Sequence, residues 1–100
     1  MGLDITIKID DIPEYNFNGI EAFNPLRDYM IKKYNYEYGA DMKLTKLIIK
    51  NMVNAILNEC YKSDDIYMID WRMSHVRALM ECNAILNANP KTIIIWECDW

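Results

Sequence analysis

The sequence predicts an α+β domain whose terminal β-strands pair in a small antiparallel sheet packed on about three α-helices. Three observations carry that expectation. Residues 3–9 alternate apolar and polar without a break. Residues 92–98 form a second run rich in β-branched side chains. Between them lie three apolar patterns at helical spacing. A chain of 100 residues is one domain, 1–100, with room for a single core.

In the first strand Leu3, Ile5, Ile7 and Ile9 share one face, and Asp4, Thr6 and Lys8 the other. Residues 10–23 contain Pro13 and Asn18-Gly19 and read as a loop, held to the body by Tyr15 and Phe17. Asn24-Pro25 marks a helix start, an N-cap residue followed by proline at the first helical position. That helix spans about 25–37, with Leu26, Met30 and Tyr34 on one stripe and Gly39 as its stop. Thr45 caps a second helix over about 46–62, where Ile48, Met52 and Ile56 flanked by Ile49, Val53, Leu57 and Cys60 make a wide apolar stripe. Residues 66–69 fit either a short extended run or the start of the next helix. Asp70 is placed as the cap of a third helix over about 71–87, with Met73, Val76, Met80 and Ala84 on its stripe and Asn89-Pro90 beyond its end. In the last strand Ile94, Trp96 and Cys98 share a face, and Ile93, Ile95, Glu97 and Asp99 the other. A two-stranded sheet leaves two open edges, so residues 66–69 as a third strand, or a homodimer joining sheets, are both expected remedies.

Eleven Lys and Arg against fifteen Asp and Glu leave a net charge of −4. That balance argues against direct nucleic-acid binding, which needs a basic surplus on one face. The acid pairs Asp10-Asp11 and Asp64-Asp65 read as solvated loops. No apolar stretch reaches the length of a membrane span, and no basic segment opens the chain, so the expectation is a cytoplasmic protein with no membrane partner. Cys60, Cys82 and Cys98, odd in number and widely spaced, read as reduced thiols. Seven tyrosines and three tryptophans exceed what one small core absorbs, and interfaces favour such side chains.

Catalytic signatures are weak. Three scattered glycines cannot form a phosphate loop. Any nucleophile–base pair would depend on His75, whose helix neighbours Arg72 and Arg77 disfavour an imidazolium. The chain is therefore expected not to be an enzyme, and no cofactor is expected. Zinc is the one metal considered, held by His75 and Cys60 with help from Glu59, Asp64 or Asp65 at the helix hairpin. His75 and Cys82 share a helix face but stand seven residues, roughly 10 Å, apart along the axis, too far to grip one ion.

The opening Met1-Gly2-Leu3-Asp4-Ile5-Thr6-Ile7 and the closing Trp100 resemble a group of small bacteriophage proteins that begin Met-Gly-Leu-Asp and end in Trp. The likeness covers the plan of most of the chain: helix, a second helix opened by Ser or Thr, third helix and final strand. Thr6 departs from the group's aromatic, and Glu97-Cys98-Asp99 from its small hydroxyl residues. The resemblance implies a phage accessory protein with no activity to carry over to particular residues. It also implies action by binding host machinery, CRISPR and other defence systems included. The expected function is an inhibitor of a host or defence protein, with Tyr34, Tyr36, Tyr38, Asp64, Asp65 and Asp99 as contacts. The alternative is a small metal- or ligand-binding module centred on His75 and Cys60.

Overall fold

The computed structural model describes residues 3–18, 23–60, 62 and 65–100, with the side chain of Cys60 outside that set. The fold is α+β, with three helices on one face of a four-stranded antiparallel sheet. In chain order the elements are β1 (Asp4–Ile9), β2 (Ile12–Phe17), α1 (Asn24–Tyr34), β3 (Met42–Lys43), α2 (Lys46–Cys60), α3 (Ile66–Ala88) and β4 (Ile94–Asp99). The sheet order is β2-β1-β4-β3. The terminal strands pair in the expected way, Ile5 opposite Cys98 and Ile7 opposite Trp96. Among the described residues no helix is long and apolar enough to cross a membrane.

Several sequence expectations require correction. Residues 10–23 are not simply a loop, because β2 lies within them. Asp10 and Asp11 both adopt left-handed backbone (φ 49° and 68°) and join Ile9 to its partner Ile12, as a two-residue hairpin loop of the primed type requires. Pro13 fits because β2 is an edge strand and the register slips beside it, from Ile7 opposite Tyr15 to Lys8 opposite Pro13. The Asn18-Gly19 pair falls partly outside the described residues, since Gly19 does. Helix α1 begins at Asn24 and stops at Asn35, itself left-handed (φ 57°), so Gly39 serves the following turn instead. Residues 66–69 are helical, and Asp65 rather than Asp70 is the cap, its carboxylate accepting the backbone N–H groups of Tyr67 and Met68 at 2.9 and 3.4 Å. Thr45 caps α2 as expected, accepting the Ile48 N–H at 3.2 Å.

The core is one cluster between sheet and helices. Leu3, Ile5, Ile7, Phe17, Ile94, Trp96 and Cys98 come from the sheet, and Leu26, Met30, Ile49, Met52, Ile56 and Leu79 from the helices. Helix α3 lies deeper than its expected stripe allowed. Its buried residues are Arg72, His75, Val76, Ala78, Leu79, Cys82 and Leu86, whereas Met80 is 53% exposed and Ala84 is exposed. Arg72 is tolerated there because its guanidinium donates to the Glu59 carbonyl at 3.0 Å, a cation on the last turn of α2. Tyr15 ties β2 to α3 by donating to the Glu81 carboxylate, and that bond, with burial, raises its pKa above the usual tyrosine value.

Candidate partner-binding surface

The sheet has two faces, and they sort the titratable groups. On the closed face His75 is fully buried in an aromatic box. Its ring lies 4.9 Å from those of Phe17 and Phe23, and its Nε2 accepts the indole N–H of Trp96 at 3.3 Å. Accepting through Nε2 places the proton of the neutral ring on Nδ1, which has no hydrogen-bond partner among the described residues. Desolvation pushes the imidazole down to about 3, so the ring is neutral across the physiological range. The same burial pushes the Cys98 thiol up to about 12 and that of Cys82 to about 11, which makes both poor nucleophiles. No group of three or more His, Cys, Asp or Glu suited to a metal occurs among the described residues. The Cys60 side chain and Asp64 lie outside the described residues. His75 thus sits inside the core rather than at a cleft.

The open face carries no helix among the described residues. Its cross-strand pairs are Asp4 opposite Asp99, Thr6 opposite Glu97 and Lys8 opposite Ile95. Lys8 reaches diagonally to Glu97 at 3.3 Å. Asn16 on β2 donates to the Thr6 hydroxyl at 3.0 Å. Two carboxylates therefore lie on opposed positions at one end of this surface, with a third one pair away, while Lys8 and Lys43 flank Ile95 further along. Like charges directly opposite are unfavourable in a sheet, by roughly 0.2–1 kcal/mol.

An aromatic corner adjoins that acidic end. The segment after α1 folds back along β4. The Tyr36 hydroxyl donates to the Ala40 carbonyl at 2.6 Å and accepts the Cys98 N–H at 2.7 Å, and the Gly39 N–H donates to the Cys98 carbonyl at 3.0 Å. These bonds cover the β4 edge beyond short β3. Gly39 has a left-handed backbone (φ 69°), and a Cβ there would stand 3.0 Å from Asp99 Oδ1. Tyr38, 61% exposed, stacks edge-to-face on Trp100 at 5.2 Å, and the Arg27 guanidinium lies 5.7 Å from the Trp100 ring centre.

The structure brings two of the expected contacts together, Tyr38 and Asp99, through Gly39 and Trp100. Tyr36 is a correction. It is 6% exposed, packs on Trp96 at 5.1 Å, and burial pushes its hydroxyl up to about 12, so it supports the corner from beneath and offers no contact surface. Tyr34 lies apart, its hydroxyl accepting from Asn51 Nδ2 at 2.9 Å beside a polar groove of about 340 Å³ between α1 and α2. Asp65 is committed to capping α3. Sequence reasoning missed Asp4 and Glu97 as members of one acidic surface. It also missed an exposed apolar face at the start of α3, where Ile66 is 71%, Tyr67 77% and Trp71 41% exposed. The i, i+4 spacing of Tyr67 and Trp71 was the available signal, hidden by starting the helix at 71. Comparison of the chain with protein families, curated proteins and solved structures returns no significant match.

Proposed function

We propose that this chain is an interaction protein: a phage-encoded inhibitor that docks on a host or defence protein, a CRISPR effector among the candidates, and blocks its handling of nucleic acid. The observation that carries the reading is the Tyr38–Trp100 aromatic pair standing beside the facing carboxylates Asp4 and Asp99 on an uncovered sheet face. Tyr38 is exposed and Trp100 half-buried against the core, and Tyr and Trp are the residues on which binding energy concentrates. Carboxylates gathered at one end of a sheet face present negative charge that a cationic groove on a partner would complement. A groove built to hold phosphates offers that charge, so an acidic occupant competes with nucleic acid. The net charge of −4 and the resemblance of the chain's two ends to small phage proteins support the same reading.

The test is capture from host lysate with the tagged chain, followed by nucleic-acid binding assays on whatever is recovered. The expected partner binds nucleic acid less tightly in the presence of the chain. The triple change Asp4→Asn, Glu97→Gln, Asp99→Asn weakens capture at least tenfold at constant fold, and so does added salt, as exposed charge contacts predict, at about 0.5 M against 0.1 M. A partner retained equally by the triple variant, or one with no nucleic-acid function, counts against the proposal.

A further inference from the structure

Between α2 and α3 lies a groove of about 330 Å³. Its apolar members are Ile49 and Val53 from α2 and Met80 from α3. Ile49 is buried and Val53 half-buried against the core, whereas Met80 is 53% exposed. Helical spacing places Met80 on the buried stripe of α3, yet the fold leaves this flexible, polarisable side chain lining an open groove. Leu47 stands two turns before Asn54, another lining residue, on the same side of α2, and at 66% exposed it extends the apolar surface.

The charge at this groove is opposite in sign to that of the whole chain, −4. Lys46 and Lys50 line it, and no acidic side chain does. Both lysines are exposed, and neither forms an ion pair among the described residues, where the pairs are Lys8–Glu97, Arg27–Asp28 and Lys62–Glu59. They stand four residues apart on α2, roughly 6 Å along its axis. Carboxylates four residues apart on a second helix have that same spacing. Apolar surface, an exposed methionine and a pair of cations therefore meet in one concave strip.

We propose that the α2–α3 groove receives an acidic amphipathic helix of a partner protein. A helix fits because the valley between two packed helices takes the ridge of a third. Its apolar stripe covers Ile49, Val53 and Met80, and carboxylates flanking that stripe meet Lys46 and Lys50. The complementary charge fixes which helices are accepted, and the apolar contact supplies most of the affinity. The groove shares no residue with the aromatic corner, so this site stands whether or not that surface binds a partner.

The test is an NMR titration of the full chain with two synthetic amphipathic peptides of about 16 residues, long enough to form a helix. Both carry leucines at i, i+3, i+4 and i+7. One has glutamates four residues apart beside that stripe, and the other has lysines there. The expected result is saturable binding of the glutamate peptide with a Kd below about 100 μM, shifts centred on Ile49, Val53 and Met80, and at least about tenfold weaker binding of the lysine peptide. Lys46→Glu combined with Lys50→Glu should reverse that preference, and Met80→Gln should weaken the glutamate peptide about threefold or more. All three positions are exposed, and the dispersion of the spectrum reports folding. No saturation by about 1 mM, equal affinity for the two peptides, or an unreversed preference in the folded double variant would each overturn the site. Self-association that the double variant abolishes would assign the groove to a second copy of the chain and overturn it too.

Discussion

One strand shows how differently two faces of the same sheet are used. In β4, Ile94, Trp96 and Cys98 are fully buried, while Ile95, Glu97 and Asp99 alternate with them and keep partial access to solvent. Against the inner face His75 is held neutral by a lowered pKa, and Cys98 and Tyr36 by raised ones. On the outer face Asp4, Glu97 and Asp99 gather toward one end, and Lys8 and Lys43 lie on either side of Ile95 further along. The inner face uses its chemistry for stability, and the outer face keeps its charged groups in reach of solvent. A side chain's type is thus a poor guide to its role until the face it occupies is known. His75 drew attention as the sole histidine, yet it is part of the packing.

Four experiments break or sharpen this contrast. The largest effect is expected at Trp96, where truncation to alanine removes the centre of the core and the donor to His75. Unfolding free energy should fall by about 3–5 kcal/mol in denaturant titrations. A loss below about 1 kcal/mol would show that the inner face does not carry the fold.

The next concerns pH. Because the folded-state pKa of His75 is lowered to about 3, the unfolded chain binds a proton there before the folded one does. The stabilisation is complete above the unfolded value near 6.5 and is lost as pH falls below it, continuing until pH approaches 3. Between pH 6.5 and 5 the wild type should lose about 2 kcal/mol more than His75→Leu, measured as the difference in unfolding free energy between the two. Parallel curves for the two proteins would mean that the imidazole is not sealed from protons.

Gly39→Ala tests the link between the faces. Its left-handed backbone and the nearby Asp99 Oδ1 predict a loss of about 1–2 kcal/mol, and the exposed Tyr38 should move with the distorted turn. Tyr38 fluorescence or ring NMR shifts would report that movement. The smallest expected effect on stability belongs to the open face. Asp99→Asn should change unfolding free energy by no more than about 0.5 kcal/mol, while partner capture weakens. A large destabilisation there would make Asp99 a structural residue and remove it from the proposed surface.

Much of the fold was legible in local pattern. The alternation of Leu3 to Ile9 assigned β1 and its inner face, the run through Trp96 did the same for β4, and Thr45 announced α2. Strand β2 was hidden because Pro13 and an Asp-Asp turn signal a loop unless the strand is known to lie at an edge, where a missing N–H costs nothing. The start of α3 was misplaced because Asp65 and Asp70 are equally good caps in isolation. The candidate surface was half legible: Tyr38 and Asp99 were named, whereas Tyr36 was assigned to the outside and Asp4 and Glu97 were not connected to it.

The sequence by itself determined which segments are strands and helices at the two ends and in the middle, because alternation and helical spacing are properties of neighbouring residues. It also determined the acidic balance and the absence of any Gly-rich phosphate loop. Only the tertiary structure decided that Tyr36 is buried while Tyr38 stays exposed, that Asp4 pairs with Asp99, and that His75 meets Trp96. Each of these joins positions through packing or a shared face, and burial is a property of the assembled layers rather than of any local stretch of chain.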